Sequence, residues 1–150
     1  MNLEKPAFAE QKDAWGFTLN DNFDKIDAEF SDKFKTIIAF EAMTAGNVVN
    51  IFDDAGTPKA RRADASAVGK EVDGFILEGV VLGGTAKVFA FGIITGLVGL
   101  TPGARQFLST TAGGLTEIAP EAPGNISQEV GRAMSDTDVI LQPKIDIEVA

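Results

Sequence analysis

The chain has 150 residues, 45% of them hydrophobic, which suits one folded domain, or one domain with an appendage, and excludes a disordered protein. Thirteen basic residues against 22 acidic ones give a formal charge of -9, which argues against nucleic acid and anionic membranes as partners. The absence of histidine, cysteine and tyrosine removes the commonest general base, thiol nucleophiles, disulfides and the usual zinc ligands.

An arm and a helix are predicted first along the chain. Residues 1–16 contain Pro6 and a mixed polar composition, which indicate an extended or irregular arm. A helix is predicted from Thr18, a suitable N-cap that Asp21 completes as a weak capping box. Apolar residues then recur three or four positions apart and form one stripe on the helix, consisting of Leu19, Phe23, Ile26, Phe30, Phe34 and Ile37.

We expect residues 1–37 to be an attachment or oligomerisation unit, distinct from a β domain over residues 38–150. Two interpretations of the helical stripe stay open: it lies on the chain's own domain, or it meets copies of itself. The residues predicted to form the interface are Leu3, Pro6, Phe8, Trp15, Phe17, Leu19, Phe23, Ile26, Phe30 and Phe34.

The remainder of the chain is typical of a β domain. About eight short strands are predicted, with a turn signal roughly every ten residues. The clearest turns are Asp53–Gly56, Leu82–Gly84, Thr101–Gly103, Ala112–Gly114 and Ser135–Asp138. Residues 56–70 are polar and small, which predicts a loop with at most one short strand. The predicted fold is therefore mainly β, a small antiparallel β-sandwich or barrel preceded by the arm and one amphipathic helix.

Acidic residues are the only abundant groups for acid–base chemistry. Asp53 with Asp54, and Asp136 with Asp138, fall in predicted turns, where aspartate bonds to nearby backbone amides. Neither pair has the further spaced ligands of a calcium loop, and no serine has a histidine partner. We therefore expect no catalytic residue, no metal, no cofactor and no enzymatic activity.

Lys59, Arg61 and Arg62 form the one dense basic cluster of the sequence. The acidic total and the lack of aromatic residues nearby in the sequence oppose a nucleic-acid footprint. A loop that forms salt bridges with acidic neighbours is the favoured interpretation, and simple solvation or use in an interface stays open.

Two segments resemble virion proteins of tailed bacteriophages. The first resembles the opening segment of phage tail fibres and carries Trp15-Gly16, Leu19-Asn20, Asn22-Phe23-Asp24 and Ile26-Asp27. The second is similar to a small β domain found in such proteins, including capsid decoration, or cement, proteins. Its motifs are Gly96–Gly103, Phe107–Ser109, Gly113–Thr116, Pro120, Pro123-Gly124 and Gln128–Ala133.

The resemblance implies a homotrimer whose β domains surround a threefold axis and whose arm and helix attach it to the particle. The expected function is that of a non-enzymatic capsid cement protein, located in the virion and bound to copies of itself and to the major capsid protein. The alternative is a tail-fibre or baseplate adaptor bound to tail or baseplate proteins. A carbohydrate-binding domain is a further alternative, with Trp15 as its sole residue for stacking on sugars.

Overall fold

The computed structural model describes residues 33–144 and 147–149. The predicted arm, most of the predicted helix and the predicted interface residues from Leu3 to Phe30 lie outside these residues. The described part is mainly β and contains no helix. Its strands are β1 (Phe34–Ala39), β2 (Val48–Asp54), β3 (Thr57–Arg62), β4 (Gly74–Phe75), β5 (Thr85–Phe89), β6 (Gly92–Ile94), β7 (Arg105–Leu108), β8 (Leu115–Thr116), β9 (Ile126–Ser127), β10 (Glu129–Ala133), β11 (Val139–Leu141) and β12 (Ile147–Glu148).

The first five strands close into a barrel in the order β1-β3-β2-β4-β5. Four of the pairings are antiparallel, but β1 and β3 run parallel, with Ile38 opposite Lys59. The prediction of an antiparallel fold is therefore wrong for this pair. The physical reason is connectivity, because the chain passes through β2 before β3 returns beside β1, and a hairpin turn reverses its direction between β2 and β3.

A second sheet has the strand order β6-β11-β10-β7-β8, and β9 pairs with β12. One group of buried residues, including Ile37, Val49 and Ala60, belongs to the barrel strands and their connections. The other group joins Val48 and Phe75 of the barrel to Leu108, Val130 and other residues of the second sheet. The two sheets therefore share a core.

The end of the predicted helix is corrected by the structure. Phe34 and Ile37 lie in β1, where Phe34 pairs with Phe89 and Ile37 pairs with Ala86. Ile37 is buried and Ile38 is exposed, which is the two-residue alternation of a strand. The helical spacing of the stripe continued by coincidence through these positions, where the β-branched run Thr36-Ile37-Ile38 and pairing with β5 favour a strand.

The segment 56–70, predicted as a loop that could hold one short strand, contains one strand, Thr57–Arg62, which forms β3. Only Ala60 of this strand is buried, so the sequence shows little apolar alternation. Pro58 is tolerated because it pairs only with β2, at Asp53, and the pairing between β3 and β1 begins at Lys59.

The predicted turns are confirmed by local geometry. Ala55 and Gly56 have φ values of 52° and 86°, as the type I′ turn of a two-residue hairpin requires. Gly103 has a φ of 83°, and the Ala104 amide donates to the Thr101 carbonyl at 2.9 Å, as expected for the predicted type II turn.

Candidate interaction surface on the barrel

An exposed apolar row lies on the outer side of β1. The side chains of Ile37 and Ala39 point into the barrel and are buried. Because side chains alternate along a strand, the intervening Ile38 and the following Phe40 point outward. They are 45% and 46% exposed.

A turn with an apolar tip lies beside this row. The Ala39 amide donates to the Gly84 carbonyl at 2.8 Å, and the Gly83 amide donates to the Ala39 carbonyl at 2.9 Å. These bonds hold the preceding Val81 and Leu82 next to the outer row, where they are 73% and 70% exposed. Apolar side chains at a turn are unusual, because turns favour polar residues, glycine and proline.

Phe52 of β2 completes the surface. Its ring contacts that of Phe40 edge to face, with the centroids 5.0 Å apart. The surface formed by Ile38, Phe40, Phe52, Val81 and Leu82 is called the barrel patch below. Ile38, Phe40, Val81 and Leu82 are exposed, whereas Phe52 is half-buried. Exposed apolar residues with polar neighbours are typical of protein interaction sites.

Two cations lie over the aromatic rings at the border of the barrel patch. Lys59 Nζ is 5.7 Å from the centroid of the Phe40 ring, and the Arg61 guanidinium carbon is 4.3 Å from that of Phe52. Lys59 also forms an ion pair with Asp54. Arg61 donates from Nε to Asn50 Oδ1 at 2.9 Å and from Nη2 to the Gly69 carbonyl at 2.7 Å. These contacts hold both cations against the sheet.

The predicted salt bridges of the basic cluster are confirmed, although the cluster lies on a strand. Lys59 pairs with Asp54, and Arg62 Nη2 lies 2.7 Å from Glu41 Oε2. Aromatic rings do lie beside the cluster in three dimensions, so the expectation that none is nearby is wrong. Phe40 and Phe52 reach the cluster from neighbouring strands, which the linear sequence does not reveal.

Glu41, in the segment that follows β1, is held by Arg62, the last residue of β3. Its carboxylate accepts the Arg62 backbone amide at 2.9 Å and the guanidinium at 2.7 Å. Burial is the largest single influence and opposes ionisation. The hydrogen bonds from Arg62 and its positive charge together outweigh burial, so the pKa of Glu41 lies below its ordinary value.

Replacing Glu41 with glutamine is expected to lower the free energy of unfolding by about 1 kcal/mol at pH 7. Since the folded pKa of Glu41 is depressed, its contribution is present above the unfolded pKa and disappears as the pH falls through the folded value. Urea denaturation should therefore separate wild type from E41Q at pH 7 and bring them together at acid pH. The exposed Glu121→Gln variant is the control, and an E41Q deficit that is independent of pH would contradict the assignment.

The prediction that the paired aspartates bond to backbone amides of their turns is confirmed at Asp53, whereas in the second turn a serine hydroxyl accepts the amides. Asp53 Oδ2 accepts the Gly56 amide at 3.2 Å across the β2–β3 turn. In the second turn Ser135 Oγ accepts the amides of Thr137 and Asp138 at 3.1 and 3.0 Å, and Thr137 Oγ1 donates to Asp138. Among residues 33–144 and 147–149, no group of three or more acidic side chains is placed to hold a metal ion.

Phe34 is the single predicted interface residue that the structure describes. It is half-buried at the start of β1, with its ring centroid 5.4 Å from that of Phe89 and Lys87 Nζ 5.7 Å from its own centroid. The interface prediction did not include Ile38, Phe40, Val81 or Leu82. Val81 and Leu82 could have been found from the sequence, because they belong to an apolar run just before Gly83-Gly84.

Comparison with models of known protein families and with curated protein sequences finds no match. The part of the chain that the structure describes has no helix able to cross a membrane. The barrel patch and the two phage-like sequence segments are therefore the features of the chain that bear on its function.

Proposed function

We propose that the chain is a non-enzymatic structural protein of a tailed bacteriophage particle, a homotrimeric cement protein that binds the outer capsid and stabilises the head. The barrel patch is the observation that carries this proposal, because it exposes four large apolar residues on adjoining segments of the barrel, as a surface that binds another polypeptide does. The phage-like motifs from Gly96 to Ala133 support the virion as the place where such a surface is used.

The proposed mechanism is mechanical. Each subunit makes modest apolar contacts with sister chains and with the major capsid protein, through the barrel patch and through the predicted arm and helix that precede β1. Linking several weak contacts in one trimer raises the effective concentration of each, so the assembly stays attached although single contacts open. Such a network resists the internal pressure of packaged DNA.

A tail-fibre or baseplate adaptor is the second proposal, favoured by the opening motif Trp15-Gly16 with Asn22-Phe23-Asp24. Both proposals place the protein in the virion and make it structural. They differ in copy number, since a head has many more equivalent positions than a tail.

Gradient-purified particles of the phage that encodes the chain test the proposal. Quantitative mass spectrometry is expected to find the protein in the particle fraction at hundreds of copies per particle for a cement protein, or a few tens at most for a tail protein. Absence of the protein from purified particles contradicts both virion assignments.

The same particles test the role of the arm. A variant that lacks residues 1–16 should no longer bind particles stripped of the native protein, while its thermal unfolding transition stays that of wild type. The full-length chain is the matched control. If the truncated protein saturates the particles, the arm is not the anchor.

A further inference from the structure

The barrel patch carries charges of both signs beside its apolar centre. Lys59 lies over the Phe40 ring and pairs with Asp54, and Glu41 and Arg62 form a second ion pair at the end of β3 that is remote from the β2–β3 turn. An apolar centre with mixed charges at its border is the arrangement of a protein–protein interface.

We propose that the barrel patch is the surface through which copies of this chain contact one another, with Lys59 of one copy facing Asp54 of the next. The inference deepens the proposed function and rests on its self-association. A second copy presents the same apolar residues and both signs of charge, so around a threefold axis Lys59 of each copy can face Asp54 of the next.

The charges disfavour an anionic partner at this position. Lys59 is already paired with Asp54, and Arg61 already donates to Asn50 and to the Gly69 carbonyl. A phosphate or sulfate group would have to displace these contacts on a chain with a formal charge of -9. A copy of the chain can keep each ion pair and add a partner of opposite sign to it.

Point variants of the full-length protein test the inference by sedimentation equilibrium. Leu82→Asp and Phe40→Glu place a charge in the apolar centre and should raise the dissociation constant of self-association at least about 30-fold. Leu82 is 70% exposed on a turn, so its substitution leaves the core intact. The control is Val98→Asp, which changes a residue that is 87% exposed in the segment between β6 and β7 and should leave the constant unchanged.

A charge exchange tests the pairing across copies. Lys59→Glu alone and Asp54→Lys alone should each weaken self-association, because each puts like charges face to face between identical copies. Mixing the two variants should restore part of the association. In a mixed trimer, one contact joins the carboxylate introduced by K59E to the ammonium introduced by D54K and a second joins the unchanged Lys59 to the unchanged Asp54, while the third keeps like charges. If each variant were weakened only by loss of the ion pair within its own chain, mixing the two would not restore association. Rescue on mixing therefore distinguishes a contact between chains from a folding defect.

The outcomes separate this inference from the proposed function. A wild-type oligomer that L82D and F40E leave intact overturns the inference. If the patch variants keep the wild-type mass but no longer bind particles, the patch contacts a different virion protein. That result also overturns the inference, while the virion role stands. If the patch variants weaken self-association but the protein is absent from purified particles, the inference is supported and the virion role is overturned.

Discussion

Replacing Phe75 with alanine is expected to lower the free energy of unfolding by about 4 kcal/mol. Phe75 is 1% exposed and belongs to the core shared by the barrel and the second sheet. Its ring stacks on that of Phe89 with the centroids 5.4 Å apart, and Gly92 of β6 faces the ring edge. Truncation removes the buried ring and leaves a cavity at the junction of the two sheets.

Urea denaturation followed by circular dichroism measures this loss. Phe91→Ala is the matched control, because it removes the same ring from an exposed position and should change the unfolding free energy by less than about 0.5 kcal/mol. Equal losses in the two variants would contradict the shared core.

Replacing Gly131 with alanine should lower the free energy of unfolding by about 3 kcal/mol, although it adds only one methyl group. A Cβ atom at Gly131 would lie 2.0 Å from the carbonyl oxygen and 3.0 Å from the carbonyl carbon of Ile140. Both atoms are backbone of the neighbouring β11, so relief of the clash requires the strands to separate. The register of β10 and β7 already shifts between Glu129 and Gly131, which leaves this segment irregular.

Gly124→Ala is the control for Gly131→Ala. Gly124 has a φ of 84°, and a Cβ atom added there would have no neighbour within 4 Å, so alanine incurs only the left-handed backbone cost of about 1 kcal/mol. Thermal unfolding of both variants compares a steric clash with a conformational penalty. A loss at Gly131 no larger than that at Gly124 would show that β10 and β11 are not packed as described.

The turns could be predicted from the sequence because their residues act locally. Glycine at position 56 and the Pro102-Gly103 pair determine their turns within four residues, and the structure confirms both. Strand β1 was missed because its conformation depends on pairing with β5, about fifty residues later in the chain. The bounds of β3 could not be predicted because its outward residues are charged and its single buried residue gives no apolar period.

The barrel patch could not be predicted from the sequence for the same reason. Its residues come from β1, β2 and the turn before β5, and closure of the barrel brings them together. The stripe from Leu19 to Phe30, in contrast, is visible in the sequence because helical periodicity is local. That stripe and its role in attachment stay predictions.

The mass of the full-length protein in solution tests the central claim, self-association, most directly. Sedimentation equilibrium over an approximately 100-fold range of protein concentration should give a mass near three times 15.8 kDa, falling at the lowest concentrations. A mass of 15.8 kDa at every concentration would contradict the account.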